Sequence, residues 1–139
     1  MSHPRVAHVG IAVTDLDAAT EAYRALLGHP EHDRETVEEQ GVEVVHFEAG
    51  DAMLELLQPT RPDSPVGRFL QKRGEGIHHV AVWVDDLRAE LARLGALGVT
   101  LIDKVPRVGA GGHLVAFVHP RSTRGVLVEL TEKRKDPAP

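Results

Sequence analysis

The clearest order in this chain lies in where its apolar side chains fall. From His8 to Val13, the residues Val9, Ile11 and Val13 alternate with His8, Gly10 and Ala12, the period-two pattern of a strand with one buried face. The period then lengthens. Leu16, Ala19, Tyr23, Leu26 and Leu27 form one stripe of a helix that Thr14 or Asp15 can cap and that Gly28 and Pro30 stop. Three strand-like runs follow at 31–38, 42–49 and 52–58, broken at Gly41 and at Gly50-Asp51. The same order returns with a strand from His78 to Val84, a helix from Asp86 to Leu97, and strands near 99–103, 112–119 and 125–131. Residues 59–76, with Pro59, Pro62 and Pro65, read as a linker carrying one short helix, and residues 132–139 as a frayed tail.

The recurrence is in the letters as well as in the pattern. HVGIAVTDL, starting at His8, comes back as HVAVWVDDL, starting at His79, and MLEL around Glu55 is matched by LVEL around Glu129. The chain is therefore an internal duplication. It predicts an α+β fold in one domain, residues 1–139, built from two βαβββ modules at about 5–58 and 77–131.

Strand parity adds chemistry to this frame. The face opposite the aliphatic one carries His8, Gly10 and Ala12 in the first strand and His79, Ala81 and Trp83 in its repeat, so small residues beside each histidine leave room for a ligand. A lone strand histidine is more often structural than ligating. A repeat-related set of His8, Glu55, His79 and Glu129 is different, because MLELL and VLVELT are poor places to leave a carboxylate unpaired. Two imidazoles and two carboxylates suit one borderline divalent ion such as Co, Ni, Zn or Mn, and six-coordination would keep two positions for substrate oxygens. His78 points to the other face of its strand and reads as structural or as a partner to a ligand; His46 can border the cleft or lie on the surface. His113 and His119 can touch a ligand, whereas His3, His29 and His32 read as exposed.

Composition narrows the classes. A net charge of −5 argues against nonspecific binding to nucleic acid or to an anionic membrane. The chain has no cysteine, which excludes disulfides, thiolate metal sites and a cysteine nucleophile. No apolar run reaches the length of a membrane span and MSHPRVAHVG lacks a signal-peptide core, giving the expectation of a soluble cytoplasmic protein. The Gly109–Gly112 stretch leads into a strand rather than a helix, so it is no dinucleotide or phosphate loop; it reads as a flexible loop closing over the cleft. No Gly-x-Ser-x-Gly elbow is present.

With these residues in view, the paired modules resemble the vicinal oxygen chelate (glyoxalase-like) superfamily. HVGIAVTDL, LELLQPTRPDSPVGRFLQKRGEGIHHVAVWVDDL, GVTLIDKVPRVGAGGHLVAFVHPRST and GVLVELT are similar, within it, to the methylmalonyl-CoA epimerases over roughly residues 5–131. The resemblance implies one divalent ion on His8, Glu55, His79 and Glu129, an acyl-CoA substrate, a homodimer, and epimerisation at C2 through an enolate with two acid/base groups. Glu55 stands where some members have Gln. One acid/base group falls on Glu129 and the other on a glutamate of the strand after EQG. In the family that glutamate can stand three residues after the glycine, which is Val44 here, whereas Glu43 stands two after it. Since a one-residue slip turns a strand side chain to the other face, either a bulge or gap realigns Glu43, or the second group is His46 or Glu48. The expectation names Glu43.

The resemblance leaves other chemistries of the same fold open: a glyoxalase I-type lactoylglutathione lyase, a ring-cleaving dioxygenase and a ligand-binding protein. The fourth ligand counts against the dioxygenase, and the ligand set as a whole against a metal-free binding protein. Lys72, Arg73, Lys104, Arg107 and Arg121 are candidate partners for the phosphates of a CoA thioester.

Overall fold

A computed structural model describes residues 3–134; the end of the expected frayed tail, residues 135–139, lies outside the described residues. The chain divides into two compact units, residues 8–78 and residues 79–139 together with 1–7. The segment expected as a linker thus belongs to the N-terminal unit. Among the described residues, no helix is long and apolar enough to cross a membrane.

The N-terminal unit runs β1 (Arg5–Ala12, whose first residues cluster with the other unit), α1 (Leu16–Leu27), β2 (Glu35–Val37), β3 (Val42–Ala49), β4 (Ala52–Pro59) and α2 (Pro65–Arg73). Its strands lie in the order β2-β3-β4-β1, with β4 antiparallel to β3 and parallel to β1. The register puts Gly10 beside Glu55 and His46 opposite Glu55. Val45, Phe47 and Leu56, on the other parity, form the core with Val13 and Leu16 beneath α1. Burying each such side chain stabilises the unit by about 1.5–3 kcal/mol.

The C-terminal unit repeats the plan: β5 (Gly76–Trp83, entering from the N-terminal unit), α3 (Leu87–Ala96), β6 (Arg107–Val108), β7 (Leu114–Val118) and β8 (Val128–Glu132). The order is β5-β8-β7-β6, with β8 parallel to β5 and antiparallel to β7. Leu87 and Leu91 of α3 cover Ala116, Val118 and Leu130. Each unit is therefore βαβββ, the expected α+β arrangement.

Helices α1 and α3 start in the same way. Asp15 and Asp86 cap them, each accepting the N–H three residues on at 3.1 Å. A second acceptor comes from the sheet: Gln58 Oε1 takes the Leu16 N–H at 2.6 Å, and Glu132 Oε1 takes the Leu87 N–H at 2.7 Å. These N–H groups have no partner inside their helices. Glu132 is consequently not the start of a frayed tail; it ends β8 and is buried.

Two other expectations change. The strand near 99–103 reduces to a single bridge between Leu101 and Val118. Asp103 explains where it stops, because its carboxylate accepts the Phe117 N–H at 2.8 Å in place of a strand carbonyl; Arg107–Val108 pairs with β7 instead. The run 31–38 shortens to β2, with residues 38–40 wound into a 3-10 turn.

Candidate active site: two histidine–glutamate pairs

In the N-terminal unit, β1 and β4 lie side by side and present His8 and Glu55 on the sheet face that α1 does not cover. His8 Nε2 stands 3.4 Å from Glu55 Oε1. In the C-terminal unit β5 and β8 do the same with His79 and Glu129, and His79 Nε2 again stands 3.4 Å from Oε1. That separation is longer than a good N–H···O bond. It matches the chord of about 3.0–3.4 Å between two donors each about 2.1 Å from a shared ion. Glu55, His79 and Glu129 are each only 4% exposed. A buried carboxylate needs a cationic or hydrogen-bonding partner, so each pair suits a divalent cation, and the Nε2 and carboxylate donors suit the borderline metals.

The two pairs differ across the sheet. Opposite Glu55 stands His46, whose Nε2–H donates to Glu55 Oε2 at 2.8 Å. The imidazoles of His8 and His46 lie edge to face, 6.4 Å apart. Opposite Glu129 stands Phe117, edge-on to His79 at 5.6 Å. A phenyl ring donates nothing to a carboxylate.

The placement expected for Glu43 needs correction. Its register partner is Gln58, whose amide reaches the start of α1, and its carboxylate lies 3.9 Å from Arg34 Nη1, an arginine that also bonds Asp17 of α1. Glu43 is therefore on the α1 face, while Val44 and His46 share the face of Glu55. No bulge interrupts the β3–β4 register to realign it. Glu48 has the right parity but lies opposite Met53 at the strand's end and its side chain is 74% exposed.

Other residues singled out by sequence sort as follows. His78 packs edge-on against Phe69 of α2 at 5.1 Å, away from its neighbour's face. His119 Nδ1 accepts the Arg121 N–H at 3.0 Å and so caps a turn. His113 lies edge-on to Trp83 at 5.2 Å and accepts the Arg134 N–H at 3.1 Å. Arg107 is held by Asp103 at 3.1 Å, Arg73 lies over Phe69, and Lys104 lines a groove beside α3. The Gly109–Gly112 stretch is a tight turn closed by Gly109 N–H to the His113 carbonyl at 2.8 Å. Gly111 and Gly112 take φ of 70° and 78°, which explains the glycines.

A sequence model for the Glyoxalase/Bleomycin resistance protein/Dioxygenase superfamily matches residues 7–117. The uncharacterised Bacillus subtilis protein YqjC is 47% identical over 132 residues, 95% of this chain and 94% of its own. An ethylmalonyl-CoA/methylmalonyl-CoA epimerase of Cereibacter sphaeroides is 38% identical over 130 residues, 92% and 97% of the two chains. Among solved structures, a variant of Streptomyces coelicolor methylmalonyl-CoA epimerase in complex with 2-nitronate-propionyl-CoA superposes with a TM-score of 0.89 at 40% identity, over 99% of this chain and 100% of that one.

Proposed function

The chain belongs to the methylmalonyl-CoA epimerase family of this superfamily and is an isomerase, and on that premise we propose that it interconverts the two C2 epimers of methylmalonyl-CoA with one bound divalent ion. The observation that carries the reading is the duplicated histidine–glutamate pair at one spacing in both units. His8, Glu55, His79 and Glu129 would hold the ion. A divalent ion bound there supplies Lewis-acid polarisation of a carbonyl oxygen and offsets the charge that builds up when a proton leaves the adjacent carbon. The acyl-CoA substrate rests on the likeness to epimerases that act on methylmalonyl-CoA, and a homodimer is proposed with it by the same resemblance.

Epimerisation removes the C2 proton from one face and returns one to the other, so it needs two groups. Glu129 is one. Its Oε1 stands 3.4 Å from His79 Nε2, and the carboxylate would take or return the proton. His46 is the other. Glu55 accepts its Nε2–H and so orients the ring and fixes the neutral tautomer in which Nδ1 is the basic atom. Glu43, expected in that role, lies on the α1 face, which favours His46.

Metal-loaded protein incubated with methylmalonyl-CoA in deuterated water should exchange the C2 proton and equilibrate the epimers. Turnover of a methylglyoxal–glutathione adduct without C2 exchange would overturn the reading in favour of a lyase. His46→Phe, which installs the residue found opposite the other glutamate, should reduce epimerisation by roughly 10²–10⁴-fold, measured at metal concentrations that keep a weakened site filled. Glu43→Gln should epimerise at close to the wild-type rate; loss of activity there with His46→Phe active would return the second role to Glu43.

A further inference from the structure

The face of β5 that carries His79 and Ala81 continues to Trp83, where the corresponding residue of β1 is Ala12. At about 3.3 Å per residue, Trp83 stands about 13 Å along the strand from His79. It is half-buried and pairs with Thr131, which has the parity of Glu129. A structured group surrounds the indole. The imidazole of His113 meets it edge-on with an interplanar angle of 90°. The Lys133 ammonium lies 5.3 Å above the ring. Arg134 donates its backbone N–H to His113 Nδ1, so neutral His113 carries its proton on Nε2. The glycine turn makes space for this ring: a Cβ at Gly111 would press on His113 at 3.3 Å. Beside Trp83 opens a cavity of about 260 Å³ whose lining includes three cations, Arg5, Lys133 and Arg134, against two carboxylates, Asp85 and Glu132. One of those carboxylates is already engaged with the start of α3.

We propose that Trp83 and His113 form the wall that receives the pantetheine arm of the acyl-CoA, with Lys133 and Arg134 toward its phosphates. The inference rests on the acyl-CoA reading above and assigns these residues a role in binding. The chemistry matches. A pantetheine arm alternates methylene pairs with amides, and an indole offers an apolar face together with one N–H donor. Its length allows the reacting carbon to lie by the histidine–glutamate pair while the amides reach a group about 13 Å away along the strand. Lys133 adds a charge for the anionic end.

Trp83 is the chain's only tryptophan, so its fluorescence reports this wall in the unmodified protein. Propionyl-CoA, which has no C2 carboxylate, should change the emission saturably at the concentrations at which it inhibits C2 exchange, and free CoA should do so more weakly. Trp83→Ala should raise KM for methylmalonyl-CoA roughly tenfold while kcat falls less than about threefold. Trp83→Phe should restore most of the loss, and His113→Leu should raise KM by a smaller factor. Silent fluorescence at inhibitory propionyl-CoA, or an unchanged KM in Trp83→Ala, would overturn the wall. Absence of C2 exchange in the wild type would instead defeat the functional reading; free CoA would then decide the wall alone, a response supporting it and silence refuting it.

Discussion

Compared residue by residue, the two units share a frame and differ in what they hang on it. Both place a histidine and a glutamate on adjacent parallel strands, 3.4 Å apart, and both tie the start of their helix to the end of the glutamate strand. Beside that constant pair, His46 in one unit answers to Phe117 in the other, Ala12 to Trp83, and Gln58 to Glu132. What stayed the same is one imidazole and one carboxylate at one spacing, a donor pair that suits a divalent cation. What diverged is what surrounds the pair: a second imidazole on the glutamate in one unit, and an indole beside an imidazole and an ammonium in the other. Duplication repeats a pair, and the residues beside each pair have since diverged.

The largest test of this comparison replaces the shared parts. His8→Ala and His79→Ala should each lower metal affinity by roughly a hundredfold or more, as losing even the partners of a ligand costs 10–100-fold. Titration calorimetry with Co or Zn would measure it. An effect in only one variant would break the equivalence of the two pairs.

A smaller effect probes the helix ties. Leucine at Gln58 or at Glu132 leaves the first N–H of α1 or α3 without its side-chain acceptor, and each should cost about 1–3 kcal/mol in urea unfolding. The Glu132 variant should lose more, because its acceptor is charged and buried. Equal losses would mean that the carboxylate adds nothing over the amide.

The smallest effect belongs to the N-terminal unit. Arg24 near the end of α1 binds Glu31 through two bonds and holds its carboxyl down from 4.5 to about 2, chiefly by the side-chain hydrogen bond. The corresponding residue of α3 is Gly95. A depressed carboxyl pKa contributes stability that is fully present above the unfolded value and is lost as pH falls from about 4.5 through about 2. Because the pair is exposed, the change is small. Arg24→Gln should lower the melting temperature slightly at neutrality, flatten its fall between about pH 4.5 and 2, and leave it unaltered below about pH 2.

Much of this was readable from the letters, and the failures have specific causes. Alternation identified β1 and β5, the stripe from Leu16 to Leu27 identified α1, and the repeat located all four histidine and glutamate positions. The face of Glu43 was not readable, since it depended on whether a bulge broke β3, and continuous pairing with β4 decides that. Val99 and Leu101 look like strand residues and do pack in the core, but Asp103 uses its side chain where a strand would use its backbone. Glu132 sat in a run of charged residues that reads as tail, and the N–H of Leu87, distant in sequence, gives it a buried partner. The surroundings of Trp83 were hidden because His113 and Lys133, which complete them, are far from it in sequence.

The tie between strand end and helix start also acts as a counting device. Sliding a strand by one residue is punished at once, because every side chain changes face. Sliding by two is not: apolar residues stay with apolar residues, and the alternation reads as satisfied. Gln58 and Glu132 each stand three residues beyond the glutamate of their strand, and each must meet one particular amide at the head of a helix. A two-residue slip leaves that amide unmet and carries the glutamate about 7 Å away from its histidine. The hydrophobic pattern chooses the face, and this single bond chooses the position along it.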